Sequence, residues 1–441
     1  MNVLQSTIAA GDVLNVLKKH MLVDGFDFIL DLEKSKGLHL VDAVTGDTIL
    51  DFFSFVASQA LGMNHPKLTT PEFIEHLGKA AVNKPSNSDV YCQLMAEFVD
   101  TFSRIAMPES FKYLFFVEGG SVANENGIKT AIDWKIQKNF AKGYKQERGT
   151  QIIHFKEAFH GRTGYSLMLT NTDPVKSKWF PRFDWPRITN PKVTFPLEEN
   201  LDAVIKAEQQ AVDEILRALK ENPDDIAMLI IEPIQGEGGD NFFRKEFLLK
   251  LRELADEHEF LLMFDEVQCG MGMTGKMWAA EHYVMPDILS FGKKSQVCGI
   301  MVSGRIDDVE HHCFNTSSRI NSTWGGNLVD MVRATKILQI IEEDNLVEHA
   351  RVMGEYMLER MKELQTEFPQ FISNARALGL WGGMDMPSPE IRKVFLSECY
   401  KNKLAILGSG TRTVRFRPAL TVTKEDLDQG FEIMKKVLFL M

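Results

Sequence analysis

The sequence predicts an α/β protein, a large domain with a mostly parallel sheet flanked by helices plus a smaller α+β domain. Three observations predict it. The chain has 441 residues, more than the roughly 250–300 at which a single core stops growing. Over its middle, short and fully apolar runs alternate with helical patterns, as expected of strands covered on both faces. From about Leu328 that alternation gives way to long helical stretches and short strands.

The elements follow in order. Tyr113–Val117 (YLFFV) reads as a buried strand and Ser121–Phe140 as the helix after it. Gln151–Phe155 is a second strand. Ala227–Glu232 (AMLIIE) precedes a helical pattern over Arg244–His258. Phe260–Phe264 (FLLMF), Ile288–Phe291 and Ile300–Ser303 are further apolar runs. Beyond Leu328, two helical stretches run to about Glu367. A Gly-rich strand is expected over Leu378–Asp385, a helix near Pro389–Lys401, and strands at Leu404–Leu407 and Thr413–Phe416. Thr423, with Asp426 three residues on, is a good N-cap for a last helix. The expected division is 1–60 packing with the small domain, 61–327 as the large domain, and 328–441 as the small domain.

Composition narrows the function classes. The apolar fraction is 44% and the charged fraction 25%, ordinary for a soluble globular protein. A net charge of -11 argues against nucleic acid as the main partner, because phosphate backbones require a basic surface. Five cysteines are scattered and odd in number, which fits reduced thiols in the cytoplasm and no metal site. The first residues lack the continuous apolar stretch of a signal peptide. No apolar run reaches the roughly 18 residues of a membrane span.

Ligands of parallel sheets gather at the carboxyl ends of the strands, and polar motifs fall there. Asp265-Glu266 follows the apolar run LLMF. A charge at that position is costly without a partner, and an acid facing a cationic ring nitrogen is one solution. Gly292-Lys293-Lys294 follows the next strand. An isolated Lys-Lys pair is ordinarily solvated, but a lysine in a partly buried site loses its proton more easily and can form an imine. Gly292 is expected to let the chain turn there. Glu118-Gly-Gly-Ser121 lies between a strand and a helix, where free amides can hold a phosphate; alone, such a turn is a weak signal. In Phe159-His-Gly-Arg-Thr163, Phe159 suits a planar ring and Arg162 a carboxylate. Glu237 lies in a Gly-rich loop, and Arg415 lies on a strand before Pro418. An acid and an arginine in one pocket would pair when it is empty and part to admit an anion.

Taken in order, strand-Gly-Gly-Ser-helix, FHGRT, EPIQGEGG, FDEVQ, FGK, NSTWGGN and VRFRP resemble the class III aminotransferases of pyridoxal-phosphate fold type I. The likeness runs from Val41 and Leu50-Asp51-Phe52 to the C-terminal helix. It implies pyridoxal 5'-phosphate as cofactor, with Lys293 as the Schiff-base lysine and Asp265 at the ring nitrogen. By the same resemblance Val267 and Phe159 flank the ring, Gln268 lies near its phenolic oxygen, and Gly120 and Ser121 hold the phosphate. Thr323 would reach the phosphate from the other subunit, so a homodimer with active sites at the interface is implied. Many members carry Asn-Ser-Gly-Thr-Glu-Ala where this chain has Glu118-Gly-Gly-Ser-Val-Ala123. Glu118 is therefore expected to point away from the phosphate or to contact the cofactor elsewhere.

Within the class, His20–Asp27, Phe55–Ser58, Asn83–Asp89, Phe116–Gly120 and Gly292–Cys298 resemble the branch acting on the ε-amino group of L-lysine. That implies Arg162 at the lysine α-carboxylate and Asn321 in the same pocket, with 2-oxoglutarate as acceptor. Arg415 would take the acceptor's α-carboxylate and Arg162 its distal one. Ornithine and 4-aminobutyrate enzymes share FHGRT, GEGG and VRFRP, so another ω-amino donor stays open. A fold-type-I aminomutase or epimerase, which would work without 2-oxoglutarate, stays open as well.

Overall fold

The computed structural model describes residues 6–441; the first five residues of the 1–60 segment lie outside the described residues. A seven-stranded sheet forms the centre. Its spatial order is Phe111–Val117, Cys298–Ser303, Ile288–Phe291, Leu261–Asp265, Ile226–Ile231, Gln151–Phe155 and Arg187–Ile188. Only Cys298–Ser303 runs antiparallel to its neighbours; the other pairings are parallel. Every residue of Ile226–Ile231, Leu261–Asp265 and Ile288–Phe291 is buried. That is why these strands are apolar on both faces rather than alternating.

The helix Gly120–Ala141 packs across this sheet against Ile226–Ile231, Ile288–Phe291 and Cys298–Ser303. Ala123, Gly127, Ala131 and other small residues let it lie close: a Cβ on Gly127 would meet Met263 Sδ at 2.6 Å. Its first turn, at the strand ends, is thereby set against the site described below.

Two smaller sheets flank the C-terminal region. Ser373–Leu378, Trp381–Asp385, Thr413–Phe416 and Leu407–Ser409 form an antiparallel four-stranded sheet. The strand expected over Leu378–Asp385 forms as Trp381–Asp385, while Leu378 ends a further strand, Ser373–Leu378, that pairs with it as a hairpin. The hairpin turn falls at Gly379, whose φ is +56° and where a Cβ would meet the Thr274 carbonyl carbon at 2.4 Å. The strand expected over Leu404–Leu407 is split. Leu404–Ala405 pairs in parallel with Thr48–Asp51, which forms a hairpin with His39–Val41, while Leu407–Ser409 joins the other sheet. The last helix, Lys424–Leu440, starts at Thr423 with the expected capping box to Asp426.

The C-terminal sheet also fastens the loop that follows Gly236. Arg376 donates to the carbonyls of Asp240 (2.8 Å) and Gly239 (2.6 Å). Arg417 pairs with the fully buried Asp240 and lies 3.3 Å over the Trp381 ring. A buried ion pair closed by further hydrogen bonds resists opening, so Glu237 and the strand Thr413–Phe416 are held in one frame. Among the described residues, no helix is long and apolar enough to cross a membrane.

Candidate active site

A cavity of about 350 Å³ opens at the carboxyl ends of the parallel strands. Gly120, Ser121, Phe159, Arg162, Glu237, Asp265, Val267, Gln268 and Lys293 all line it. Residues spread over more than 170 positions thus meet in one concavity, because each motif terminates a neighbouring strand of the same sheet.

Asp265 ends the strand Leu261–Asp265 and is buried. Its Oδ2 accepts from Asn124 Nδ2 at 2.7 Å and lies 2.8 Å from His160 Nδ1. Its Oδ1 accepts from the Val267 N–H at 3.1 Å and from Ser290 Oγ at 3.3 Å. Four donors fix one carboxylate, and charge-assisted bonds of this kind are the strong ones. Asn124 and His160 line the cavity as partners of Asp265, and the sequence reading missed both. The signal for Asn124 was its place four residues after Gly120, one helical turn below the start of the helix. His160 stands between Phe159 and Arg162 in the same motif, and nothing local marks it as a carboxylate partner. Glu232, also missed, is buried and pushed up to about 7, chiefly by burial. It accepts from the Phe159 and Gly236 N–H groups at 2.9 Å each, tying the two loops together.

The Lys-Lys pair divides. Lys294 is buried, and its Nζ donates to the Gln268 carbonyl at 2.7 Å and the Ala57 carbonyl at 3.3 Å. Lys293 lines the cavity instead. The turn that makes this possible is at Lys293 itself, with φ +54°. Gly292 is extended (φ 177°), so the expectation that its freedom turns the chain is corrected. It is needed for space: a Cβ there would meet Cys298 Sγ at 2.9 Å and Val267 Cγ1 at 3.2 Å.

Burial pushes the Lys293 amine down to about 8, against the pull of Glu237. The neutral amine is the nucleophile. Covalent capture of an aldehyde by Lys293 in the apoprotein should therefore rise about tenfold per pH unit and level off above a pH of about 8. Stopped-flow absorbance across pH 6–10 checks this; a rise that continues to pH 10 would contradict it.

The helix Gly120–Ala141 offers its unpaired first N–H groups to the cavity, with Gly119 at φ +106° as its cap. Ser121 Oγ accepts from the Arg162 and Thr163 N–H groups, both at 3.1 Å, which docks FHGRT on the helix end. Gly161 permits that approach: at φ +130°, a Cβ would lie 2.1 Å from Ser121 Oγ. Glu118 points to Lys84, with Oε1 2.8 Å from Nζ, and is not among the cavity residues. Gln268 Oε1 accepts weakly from Arg417 Nε and Nη2, both at 3.4 Å, leaving its Nε2 as the donor free for a ligand. Glu237 and Arg415 meet: Nη1 donates to Oε1 at 2.5 Å. Asn321 and Thr323 do not line the cavity of their own chain. Both are exposed, on a loop held by Ser86 and Ser88 through the Thr323 and Ser322 carbonyls.

Residues 23–438 match the family Aminotransferase class-III. The chain belongs to the class III aminotransferases. The L-lysine-epsilon aminotransferase of Mycobacterium tuberculosis is 48% identical over 428 residues, covering 97% of this chain and 95% of the relative. That of Amycolatopsis lactamdurans is 46% identical, covering 96% and 95%. The solved lysine aminotransferase of M. tuberculosis, in its internal aldimine form, superposes with a TM-score of 0.96 at 47% identity, over 98% of this chain and all of that one. The aminotransferase therefore has the fold-type-I architecture, and its class works with pyridoxal 5'-phosphate.

The cavity of this aminotransferase fits that cofactor. A phosphate needs free amides at close range, and a Cβ on Gly120 would fill the space in front of Val267, 2.6 Å from its Cγ1. A cationic ring nitrogen needs a fixed anion, and Asp265 is one. A planar ring needs apolar walls, which Phe159 and Val267 supply.

Proposed function

We propose that this aminotransferase transfers the ε-amino group of L-lysine to 2-oxoglutarate. The products are glutamate and a six-carbon semialdehyde that closes to piperideine-6-carboxylate. The observation that carries reaction at the ω end is the 2.5 Å pair of Glu237 with Arg415, with an exposed Arg162 on the cavity that Glu237 lines; the choice of lysine among ω-amino donors rests on the relatives above. One cation is neutralised and the other is open to solvent. Lysine, reacting at its ε end, presents methylenes near the reacting carbon. An unpaired arginine there would be a buried charge without a partner, and Glu237 removes that cost. The open Arg162 suits the distant α-carboxylate. The lysine donors named for the relatives above support the same reading.

In this proposal Lys293 would hold the cofactor covalently, Gly120 and Ser121 its phosphate, Gln268 its phenolic oxygen, and Asp265 its ring nitrogen. Phe159 and Val267 would cover the two faces. Bound pyridoxal phosphate supplies a carbonyl carbon that takes up amines and a ring that withdraws electrons. Lys293 Nζ then takes the proton from the substrate carbon bearing the transferred nitrogen. Asp265, held by Asn124 and His160, keeps its charge against the ring. With 2-oxoglutarate the reacting carbon carries a carboxylate, so Arg415 leaves Glu237 to bind it while Arg162 binds the distal one. Thr323, and with it Asn321, would enter the cavity from the partner subunit of a homodimer. The division at residues 60 and 327, and a place in the cytoplasm, belong to the same proposal.

Rapid mixing of the holoenzyme with lysine, ornithine and 4-aminobutyrate tests the donor. Lysine should bleach the cofactor absorbance fastest. Faster bleaching by either rival would transfer the assignment to that amine.

A further inference from the structure

Glu237 shares its carboxylate between two cations. Oε1 takes Arg415 at 2.5 Å, and Oε2 faces Lys176 Nζ at 3.9 Å. Lys176 ends the short turn Pro174–Lys176 and lines a second cavity, which shares Arg162 with the cofactor cavity. Its ammonium lies 5.1 Å from the Phe159 ring centroid and donates to Thr172 Oγ1 at 2.8 Å. The side chain is only 16% exposed. Burial pushes its pKa down, and Glu237 is the first influence that opposes this. The adjacent Asp173 is engaged elsewhere, capping its own turn through the Val175 N–H at 2.9 Å.

A carboxylate that leaves Arg415 needs another partner. Left unpaired in a largely buried wall, it would oppose the very exchange that frees the arginine. At 3.9 Å the Lys176 contact is too long for a hydrogen bond, so it is a seat not yet taken. A change in the Glu237 side-chain torsions of the kind that separates rotamers would close it. Arg162 and Arg415 are the two cations offered to the two carboxylates of the oxo-acid, which leaves Lys176 as the other cation within 4 Å of Glu237.

We propose that Lys176 is the second seat of Glu237, receiving its carboxylate when Arg415 turns to the oxo-acid. Lys176 is thus a positioning residue that sets dual specificity through Glu237. This rests on the lysine and 2-oxoglutarate reading.

The test measures both half-reactions of the holoenzyme in single turnovers, with Lys176→Met, Lys176→Gln and Lys176→Arg made in wild type and in Glu237→Gln. The neutral variants should lower the rate constant over KM for 2-oxoglutarate by about tenfold to fiftyfold. That loss should exceed their loss with lysine by tenfold or more, and Lys176→Arg should restore most of it. In the Glu237→Gln background the same replacements should cost less than threefold, because no carboxylate remains to be seated. Equal losses in both half-reactions would overturn the proposal, as would a loss undiminished in Glu237→Gln, which would mean that Lys176 binds the oxo-acid directly. A wild-type enzyme that rejects lysine would overturn the donor reading instead, separately from the comparison of backgrounds.

Discussion

Lys293→Ala should leave a folded protein that still binds pyridoxal phosphate but fixes none of it on borohydride treatment. Its kcat should fall by at least the roughly 10²–10⁴-fold that a positioned proton-transfer group contributes. Retained binding is expected because the phosphate turn, Asp265 and the Phe159 and Val267 walls do not depend on the lysine stem. Loss of fixation is expected because the neighbouring amine does not substitute. Lys294 is buried and bonded to the Gln268 and Ala57 carbonyls, although burial and Lys293 push it down to about 7. Its low pKa makes it chemically capable, and only its position excludes it. Lys294→Met is the companion variant: it should lose stability and keep the borohydride adduct. Mass spectrometry of the reduced proteins reads both results, and an adduct on Lys294 in Lys293→Ala would contradict the division of the pair.

Asp265→Asn should be the second large effect. The replacement keeps size and shape but removes the fixed negative charge that Asn124, His160, Ser290 and the Val267 amide hold in place. Loss of one preorganised electrostatic element costs about 10²–10³-fold in kcat. The cofactor should still attach to Lys293, so its absorbance should persist while turnover collapses. His160→Ala should act in the same direction and less strongly, because it loosens the carboxylate without removing it. If Asp265→Asn lowered cofactor binding and kcat in parallel, with no excess in kcat, the carboxylate would be a structural group alone.

Much of the fold and the site was legible in the sequence because both obey local rules. Strands buried on both faces must be apolar, so AMLIIE and LLMF declared themselves, while YLFFV is an edge strand with Tyr113–Phe115 only partly buried. The family resemblance, rather than any local pattern, separated Lys293 from Lys294. What stayed hidden depends on contacts that no local pattern encodes. Asn124 reaches Asp265 across 141 positions, and Glu232 reaches the Phe159 amide across 73. Lys176 lies in an irregular segment with neither helix nor strand pattern, and only the folded chain brings it to Glu237. The first strand of the hairpin, Ser373–Leu378, went unread because the turn at Gly379 packs against Thr274 rather than carrying a recognisable turn sequence. Glu118 was noticed as a departure from its family. Its partner Lys84 is 34 positions away, and nothing near Glu118 announced it.

The chemistry now depends on which nitrogen of the substrate Lys293 acts beside. L-lysine labelled with ¹⁵N at the ε position, supplied with unlabelled 2-oxoglutarate, decides it. The account predicts that the label appears in glutamate and is absent from the semialdehyde product, which retains its α-amino nitrogen. Unlabelled glutamate, with ¹⁵N kept in the oxo-acid product, would place the α end of lysine at Lys293 and contradict the roles given to Arg162, Glu237 and Arg415.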